Sequence, residues 1–421
     1  MEKFLINGPC KVSGQVIIAG SKNAALPILA STILFNKPVT INNLPNVKDI
    51  HTMLKLLKSL GAVIKLSKNK KSVKILKKNK QNIFAPYSLV KTMRAGILVL
   101  GPLLTKFKKA QCSLPGGCNL GLRPIDLHLK ALSKLGVNYK IKKGYVHAIA
   151  KNGIIGNEIK FSKISVGATE NIIIAACLGK GITVLKNCAI EPEIKDLTNF
   201  LNKAGANIKW IGKRTVKIRG VKVLKSINYE VMGDRIETGT FCVASCLTKG
   251  NLIIKKFNPK LISTELNLLK KIGATIKLKK NQIYIKGPKK IKNITMIKTK
   301  EYPDFPTDLR AQFMVLLCKA NGISRITENI FENRFMHCAE LRRLGAKIQI
   351  KKNTATIYGD SNFQGAELMS SDLRASVALV LAAMVSKGKS IINRIYHLDR
   401  GYEKIEKKLS KCGAFIKRIP N

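Results

Sequence analysis

The sequence predicts an α/β protein built from six similar repeats, which form two halves of three repeats each. One phrase, an apolar helix end followed by Gly, a small residue and a strand, occurs six times. Its glycines, separated by 68 to 75 residues, are Gly61, Gly136, Gly205, Gly273, Gly345 and Gly413. A regular period near 70 residues indicates repeated structure, and it exceeds the period of solenoid repeats. Each repeat should therefore be a small layer of helices and strands.

The repeated phrase predicts a helix, a tight turn and a strand in that order. In the last copy, Ile405, Leu409 and Cys412 have the spacing of an amphipathic helix. The glycine after each helix supplies the left-handed backbone conformation that commonly ends helices. An alternating stretch rich in β-branched residues comes next, such as AVIKL at residues 62–66, and predicts a strand.

A second recurring phrase predicts a buried helix that runs into a strand. Examples are AACLGKGITVL at residues 175–185 and AAMVSKGKSII at residues 382–392. These helices are apolar almost all round, which is typical of helices buried inside a domain. With the first phrase, each repeat reads helix–strand–helix–strand–strand. Three repeats can close round a shared core, with the buried helices inside and the sheets outside.

The buried helices begin with six related segments that place capping residues beside cations. They are GSKN (20–23), KTMR (91–94), SVGAT (165–169), DRIET (234–238), TDLR (307–310) and SDLR (371–374). Ser, Thr and Asp cap helices at such positions, and the free N–H groups of a helix N-terminus also bind anions. Either role explains one segment alone. Six equivalent occurrences favour an anion-binding cleft.

The charge is large but spread along the whole chain. The 421 residues are 45% hydrophobic, which suffices for two or three domains, and 76 Lys and Arg against 24 Asp and Glu give a formal net charge of +52. Such a charge is often found in nucleic-acid-binding proteins. Aromatic residues make up only 6% of the chain, however, too few for base-stacking platforms. We favour a compositional bias of the genome over a selected polyanion-binding surface, and we predict no specific nucleic-acid partner.

No segment predicts a membrane span, a signal peptide or a metal site. The apolar stretch at residues 375–385 is shorter than the roughly 20 residues of a membrane helix. The ten cysteines are scattered, without a CxxC pair, and several lie in apolar runs, as Cys177 and Cys318 do. The five histidines show no metal-ligand spacing. We therefore predict a protein of the reducing cytoplasm that binds neither metal nor membrane.

One loop carries a candidate for acid–base or nucleophilic chemistry. Residues 114–126 read LPGGCNLGLRPID, and their glycines and prolines predict a loop. Cys118 stands beside two glycines, with Arg123 and Asp126 further on. A nearby cation in an exposed loop lowers the pKa of a thiol and makes it reactive. A turn with an incidental cysteine explains the same residues equally well.

Longer motifs connect this loop with a known family. They are GSKNAALPIL (20–29), APYSLVKTMRA (85–95), PGGCNLGLRPID (115–126), SVGAT (165–169), FPTD (305–308), ENRFMH (332–337) and RIYHLDRGYE (394–403). Together the chain resembles the UDP-N-acetylglucosamine 1-carboxyvinyltransferase family, within the EPSP synthase-like superfamily. The resemblance runs along nearly the whole chain, in order and without large gaps.

The resemblance implies two inside-out α/β barrel domains, each of three βαβαββ-like repeats, with a substrate cleft between them. Residues 1–21 and 233–421 would form one domain. Residues 22–232 would form the other, which carries the Cys118 loop. The implied domains agree with the six repeats found above.

The resemblance also implies an activity. Enolpyruvyl transferases of this family move the enolpyruvyl group of phosphoenolpyruvate to the 3-hydroxyl of UDP-N-acetylglucosamine and release phosphate, through a tetrahedral ketal. This is the first committed step of peptidoglycan synthesis, and hence of cell-wall growth and division. Cys118 corresponds to the proton donor and Asp308 to the base that takes the hydroxyl proton. No cofactor is implied.

The remaining site residues follow from the same motifs. Those corresponding to phosphoenolpyruvate-binding positions are Lys22, Asn23, Arg123 and Arg400. Those corresponding to UDP-N-acetylglucosamine-binding positions are Arg94, Arg123, Pro124, Ile125, Asp126, Leu127, Lys163, Ile164, Ser165, Val166, Gly167, Asp308 and Ile330. Supporting positions are Arg334, Asp372 and Arg374. Asp126 would accept from uracil, and residues 165–167 would present helix N–H groups to the diphosphate.

Two rival functions stay open at this point. An enolpyruvyl transferase acting on shikimate 3-phosphate would share the repeats and the phosphoenolpyruvate-binding cations, but it would not need the PGGC loop or the RPxD segment. A basic nucleic-acid-binding protein without catalysis would be expected to have lost site residues, and none is missing here. No feature of the sequence predicts the oligomeric state.

Overall fold

The computed structural model of the chain describes residues 2–77, 82–116, 125–332 and 334–420. The α-helices in these ranges are α1 Lys22–Ser31, α2 Lys48–Ser59, α3 Tyr87–Val90, α4 Leu100–Phe107, α5 Asp126–Lys134, α6 Val166–Ala176, α7 Pro192–Lys203, α8 Arg235–Leu247, α9 Ser263–Lys271, α10 Arg310–Cys318, α11 His337–Arg343, α12 Leu373–Ala383 and α13 Ile405–Lys411. The 3₁₀ turns are Thr32–Leu34, Arg94–Val99, Pro259–Ile262, Thr307–Leu309 and Ile395–Arg400.

The strands are β1 Lys3–Gly8, β2 Ser13–Ile17, β3 Val39–Asn42, β4 Ala62–Leu66, β5 Val73–Lys77, β6 Phe84–Ala85, β7 Lys109–Ser113, β8 Asn138–Lys142, β9 Tyr145–Ile149, β10 Glu158–Lys160, β11 Ile182–Lys186, β12 Asn207–Gly212, β13 Thr215–Arg219, β14 Ile227–Glu230, β15 Asn251–Lys255, β16 Thr275–Lys279, β17 Gln282–Lys286, β18 Ile291–Lys292, β19 Met296–Lys298, β20 Ala320–Asn321, β21 Ile323–Thr327, β22 Lys347–Lys351, β23 Thr354–Tyr358, β24 Glu367–Met369, β25 Gly388–Asn393 and β26 Phe415–Ile419.

The chain divides into two compact units. The middle unit holds the described residues between 20 and 232, and the terminal unit holds residues 2–19 and 233–420. Each unit has its own hydrophobic core. The core of the middle unit uses residues between 24 and 231, and the core of the terminal unit uses residues 4–18 and 236–416.

Each unit contains three four-stranded sheets of the same design. In the order β6-β7-β9-β8, the first pair is parallel and the other pairs are antiparallel. The same pattern recurs in β10-β11-β13-β12 and in β19-β21-β23-β22. With the helices between the strands, each repeat reads βαβαββ. The prediction of six α/β repeats, three to each half, is therefore confirmed.

Strands from distant parts of the chain complete three of the sheets. β2, near the start of the chain, joins β15 in parallel and supplies the first strand of the first repeat of the terminal unit. β14 joins β3 in parallel, so the end of the middle unit supplies the first strand of its first repeat. In the terminal unit, β1 lies between β25 and β26 and takes the place of the last strand of the last repeat. Each unit is thus closed on itself by a strand from its other end.

The apolar helices lie inside each unit, as predicted. All 13 residues of α8 are buried, and in α12 only the first residue is not fully buried. In the terminal unit α8, α10 and α12 contact one another, and in the middle unit α6 contacts both α1 and α4. These contacts place helices at the centre of each unit and sheets outside, which is the predicted inside-out arrangement. None of the described helices is long and apolar enough to span a membrane.

The six repeat glycines end their helices as predicted. All six have positive φ, between 87° at Gly136 and 104° at Gly273. At five of them the next residue donates its N–H to the carbonyl five positions back, as Ala346 does to Leu341 over 3.0 Å. This hydrogen bond defines the Schellman motif, which satisfies carbonyls at a helix C-terminus.

We expect Gly345→Ala to lower stability more than Gly136→Ala. Both glycines have positive φ, which costs an alanine on the order of 1 kcal/mol. A β-carbon at residue 345 would also lie 2.9 Å from the carbonyl oxygen of Asn362, whereas at residue 136 the nearest atom is 3.8 Å away. Thermal unfolding of the two variants measures the difference. Equal melting temperatures would show that the backbone near Asn362 relaxes without cost.

The predicted helix caps hold at four of the six segments. Ser21, Ser165, Asp234 and Asp372 accept hydrogen bonds from backbone N–H groups of the first turns of α1, α6, α8 and α12. The prediction is wrong at residues 91–94 and 307–310. There the chain begins as a 3₁₀ turn whose preceding residue, Met93 or Pro306, makes no side-chain cap. In the second case the polar side chains bind partners elsewhere in the fold, as described below.

Cysteines in the apolar runs are buried, as predicted. The nine cysteines in the described ranges are free thiols, and only Cys10 among them is partly exposed. Burial raises the pKa of Cys112 and Cys318 to about 12, so neither thiol ionises near neutral pH. These cysteines therefore act as small apolar residues.

A buried carboxyl in the middle unit predicts a pH dependence of stability. Asp196 accepts from the hydroxyl of Tyr229 at 2.7 Å and from the N–H of Met232 at 3.2 Å. Burial raises the pKa of Asp196 to about 6, despite these two hydrogen bonds. Because the folded state then binds the proton more tightly than the unfolded state, the free energy of unfolding should fall by about 1–3 kcal/mol as pH rises from about 4 to about 6.

Asp196→Asn replaces the ionisable carboxyl by a neutral amide of the same size. We expect the melting temperature of this variant to fall less than that of the wild type between pH 4 and pH 6. Melting curves recorded in the same buffers provide the comparison. Parallel pH profiles for the two proteins would contradict the prediction.

Candidate active site

The terminal unit gathers three of the predicted residues round one carboxylate. Asp308 Oδ2 lies 2.8 Å from Arg374 Nη2, and Asp308 Oδ1 lies 3.8 Å from Arg334 Nη2. The two arginine side chains are at most 8% exposed, whereas the aspartate side chain is 25% exposed. The carboxylate is thus held by two buried cations and remains accessible to a ligand.

Local structure explains how these side chains meet. Asp372 Oδ1 accepts from the N–H groups of Arg374 and Ala375 at 2.9 and 3.0 Å, which fixes the first turn of α12. That turn carries the Arg374 side chain to Asp308. The Asp308 carboxylate pairs with Arg374, and Pro306, which precedes the Thr307–Leu309 turn, makes no side-chain cap.

Glu328 holds the two segments that flank this carboxylate. Glu328 Oε2 accepts from the Thr307 hydroxyl at 2.6 Å, and Glu328 Oε1 accepts from the Ile330 N–H at 2.8 Å. Arg310 Nε lies 3.5 Å from the same carboxylate, and both side chains are at most 3% exposed. Burial lowers the pKa of Arg310 to about 10, against the attraction of Glu328. Glu328 therefore fixes both the turn that presents Asp308 and the predicted ligand residue Ile330.

In the middle unit, the start of α6 has the form of an anion-binding site. Ser165 Oγ accepts from the N–H of Ala168 at 3.3 Å, which caps the helix. Val166 is 38% exposed and Lys163 is also exposed, so the first turn faces solvent. The N–H groups of a capped, exposed first turn and the helix dipole together favour a phosphate group.

The neighbouring predicted residues surround the start of α5. Asp126 is its first residue, and the charges of Asp126 and Arg94 both act on the buried ring of His128. Gly167, in the first turn of α6, packs against the same ring. Arg94, Asp126 and residues 165–167 are thus brought to one region. Of the hydrophobic residues in the predicted set, Ile125 is buried in the core, whereas Leu127 and Ile164 pack against the core and remain partly exposed.

Three of the predicted phosphoenolpyruvate-binding residues lie at the end of a helical segment. Lys22 and Asn23 form the first turn of α1, and Lys22 Nζ lies 3.3 Å from Asp49. Arg400 ends the 3₁₀ turn Ile395–Arg400 and is half-buried. Cys118, Arg123 and Pro124 lie outside the described residues, so their assignments stay predictions. Within the ranges that are described, no group of three or more His, Cys, Asp and Glu side chains could hold a metal ion.

Sequence patterns did not identify every residue of this site. Glu328, Arg310 and Asp49 were not predicted, although Glu328 stands two residues before Ile330. One signal in the sequence could have found them. The chain has few acidic residues, and a carboxylate inside an apolar fold needs a partner, so each Asp or Glu in an apolar segment is a candidate for a buried ion pair. His128 was noted for its lack of metal-ligand spacing, and its packing against Gly167 was not foreseen.

Comparisons with known proteins show the family and the fold. The sequence model of the EPSP synthase (3-phosphoshikimate 1-carboxyvinyltransferase) family matches residues 6–409. The UDP-N-acetylglucosamine 1-carboxyvinyltransferase of Pelagibacter ubique is 65% identical over 419 residues and that of Endomicrobium trichonymphae 48% over 421 residues, with full coverage of both chains in each case. The crystal structure of the enolpyruvyl transferase NikO from Streptomyces tendae has a TM-score of 0.88 over 99% of each chain, at 22% identity, and supports the fold.

The family match spans almost the whole chain, and the resemblance found in the motifs is confirmed. The relatives that match over their full length are also named after one reaction within that family. The chain therefore belongs to the EPSP synthase family, in the group of its UDP-N-acetylglucosamine 1-carboxyvinyltransferases.

Proposed function

We propose that this enzyme transfers the enolpyruvyl group of phosphoenolpyruvate to the 3-hydroxyl of UDP-N-acetylglucosamine and releases phosphate. In the cell this would be the first committed step of peptidoglycan synthesis, carried out in the cytoplasm without a cofactor. The observation that carries the proposal is the partly exposed Asp308 carboxylate held by Arg374 and Arg334, in a chain whose full-length relatives bear that name.

Asp308 suits the part of a base in the addition step. Two guanidinium groups favour the ionised form of a carboxylate, so it can accept a proton at neutral pH. As the sugar oxygen bonds to C2 of phosphoenolpyruvate, the hydroxyl proton passes to Asp308, and C3 takes a proton from the Cys118 thiol. The resulting ketal then returns a proton from C3 to the Cys118 thiolate, the bond from C2 to the phosphate oxygen breaks, and phosphate leaves.

The cationic residues suit the two anionic substrates. Lys22, Asn23 and Arg400, with Arg123 from the Cys118 loop, would bind the carboxylate and phosphate of phosphoenolpyruvate, because guanidinium and ammonium donors match these groups. Arg94, Asp126 and the start of α6 would bind the nucleotide part of the sugar substrate, with the diphosphate at the helix N-terminus. The two compact units would act as the two domains of the enzyme, each supplying part of the binding set.

A phosphate-release assay tests this function. Phosphoenolpyruvate is supplied with UDP-N-acetylglucosamine in one series and with shikimate 3-phosphate in a second. We expect release with the nucleotide sugar and none above background with the shikimate compound. Cys118→Ser should abolish most of the activity, because a serine hydroxyl is a far weaker acid than a thiol. Release with shikimate 3-phosphate alone would overturn the proposal.

The nucleic-acid-binding alternative has a distinct signature. If the +52 charge were selected for nucleic-acid binding, the protein would make many contacts to phosphate groups. It would then stay bound to RNA or DNA columns at moderate salt. Such retention together with an absence of phosphate release would replace the enzyme by a binding protein. Active enzyme that elutes at moderate salt would exclude it.

A further inference from the structure

Arg418, in the last strand of the chain, gathers three carboxylates in the terminal unit. At the closest atoms, its guanidinium lies 2.7 Å from Asp399, 2.8 Å from Glu2 and 3.3 Å from Glu406. The chain has only 24 acidic residues against 76 basic ones. Three acidic side chains round one arginine are therefore unusual for this protein, and what they hold in place requires an explanation.

Arg418 binds Asp399 through two hydrogen bonds side by side. Nη1 donates to Oδ2 at 3.2 Å, and Nη2 donates to Oδ1 at 2.7 Å. Paired bonds of this kind fix the direction of a carboxylate as well as its distance. The arginine is itself fixed in β26, because its Nε contacts Glu406 and its guanidinium carbon lies 5.1 Å from the centre of the Phe4 ring. Asp399 is thus attached to a strand of the sheet.

Asp399 directly precedes Arg400, the last residue of the 3₁₀ turn Ile395–Arg400. A 3₁₀ helix has three residues per turn, so the side chains of consecutive residues point about 120° apart. When the Asp399 side chain is held on β26, the Arg400 side chain must leave the turn on a different side. The ion pair therefore fixes both the backbone of Arg400 and the direction in which its side chain starts.

The chain is anchored a second time just after Arg400. A β-carbon on Gly401 would lie 2.6 Å from Leu373 Cδ2, so the backbone packs closely on the start of α12. The buried hydroxyl of Tyr402 forms a hydrogen bond of 2.9 Å with Thr240 Oγ1 on α8. Arg400 thus lies between two anchors. The ion pair at residue 399 is the one that a substitution removes without disturbing the core, since its side chains are 23% and 19% exposed.

We propose that Arg418 is a positioning residue for phosphoenolpyruvate: through Asp399 it fixes the turn from which Arg400 binds this substrate. The inference rests on the proposed function, in which Arg400 is a phosphoenolpyruvate-binding residue. In this role Arg418 acts through Asp399 and does not contact the substrate. Ordering a long side chain during binding lowers affinity, and a side chain that is already oriented avoids much of that loss.

Asp399→Asn and Glu406→Gln make the same chemical change at two carboxylates that share Arg418. Each keeps the size of the side chain and removes one ion pair, but only residue 399 adjoins Arg400. Initial rates of phosphate release give KM for each substrate while the other is saturating. We expect Asp399→Asn to raise KM for phosphoenolpyruvate about fivefold or more and to leave KM for UDP-N-acetylglucosamine within about twofold of wild type. Glu406→Gln should leave both constants within about twofold.

Substitutions of the arginine itself give a second, independent measurement. Arg418→Met removes the guanidinium and keeps an apolar side chain to pack against Phe4, and it should raise KM for phosphoenolpyruvate about tenfold or more. Arg418→Lys keeps the charge but loses the paired hydrogen bonds, so its KM should lie between those of the wild type and Arg418→Met. Arg343→Met is the matched control: its arginine belongs to the same unit and is 59% exposed, and the change should leave both constants unaltered.

A purely structural role of Arg418 gives a different result. All variants are assayed at a temperature where their melting curves show them folded. Equal KM values of Asp399→Asn and Glu406→Gln for phosphoenolpyruvate, or an equal rise of both Michaelis constants in Arg418→Met, would show that the cluster only stabilises the unit and would overturn the proposal. If the wild type released no phosphate from the two substrates, the proposed function would fail and this inference with it. An active wild type and an unchanged KM for phosphoenolpyruvate in Asp399→Asn and Arg418→Met would defeat the inference alone.

Discussion

Asp308→Asn is expected to lower kcat for enolpyruvyl transfer by about 10²–10⁴-fold, the usual contribution of a general base. Asparagine keeps the size of the side chain, and its amide oxygen can still accept from Arg374, now 2.8 Å from the carboxylate. It cannot take the proton from the sugar hydroxyl. The loss should therefore fall mainly on kcat, with a smaller rise in KM for UDP-N-acetylglucosamine from the lost acceptor. Initial rates of phosphate release at saturating phosphoenolpyruvate measure both parameters.

A matched control carries the same chemical change at an exposed position of the same unit. Asp360 lies in a turn with a φ of 51°, a conformation that asparagine also adopts readily. Asp360→Asn should leave kcat and melting temperature unchanged. Asp308→Asn should melt below the wild type, since the buried Arg374 and Arg334 lose a counter-charge, so both enzymes are assayed at a temperature where their melting curves show them folded. Retention of more than a tenth of the wild-type kcat would show that Asp308 binds substrate but is not the base.

Features set by neighbouring residues were predictable from the sequence. The six repeat glycines have positive φ because glycine adopts the left-handed conformation easily. This conformation lets the N–H groups that follow a helix bond to the carbonyls of its last turn. Ser165 and Asp372 cap their helices for the same local reason. The repeat period then predicted that these elements form repeated layers, since each layer must bury its apolar helices against its neighbours.

Pairings between distant residues were not predictable in the same way. The TDLR and SDLR segments look alike, yet Asp372 caps a helix whereas Asp308 binds Arg374, which lies 66 residues further along the chain. Thr307 is drawn to Glu328 in the same manner. Strong partners that are brought close only by the fold compete with local capping, and a sequence pattern does not show which will win. The motifs therefore supplied candidate site residues, but they did not predict the contacts between them.

Removing the Glu328 carboxylate should have the largest effect on stability. Glu328→Ala would leave Arg310 buried, with a side chain 3% exposed, and without the carboxylate that now lies 3.5 Å away. Breaking a buried ion pair from one side typically costs about 3–5 kcal/mol, because an uncompensated charge remains in the interior. For a unit of this size, that corresponds to a fall in melting temperature on the order of 10 °C. Calorimetric scans of the wild type and the variant measure the shift.

Two further variants distinguish the lost charge from the lost hydrogen bonds. Glu328→Gln keeps an oxygen for the N–H groups of Ile330 and Phe331, which donate at 2.8 and 3.2 Å, but leaves Arg310 without a counter-charge. It should be less stable than the wild type and more stable than Glu328→Ala. Adding Arg310→Met to Glu328→Gln removes the unpaired cation and should recover part of the stability, as replacement of both partners often does. If the double variant were no more stable than Glu328→Gln, the loss of stability would come from the lost hydrogen bonds of Glu328 and not from the unpaired charge of Arg310.

The ion pair between Lys186 and Glu158 shows why burial, and not distance, decides the size of this effect. Its atoms are closer, at 2.6 Å, but its side chains are 43% and 60% exposed. Water replaces the lost partner of an exposed charge, so Glu158→Ala should change stability by less than about 1 kcal/mol. Glu328 and Arg310 are at most 3% exposed, and Thr307 and Ile330 lose their acceptor together with Arg310. Glu328→Ala should therefore also lower the activity that remains at permissive temperature, because the turn that presents Asp308 is no longer fixed, whereas Glu158→Ala should be fully active.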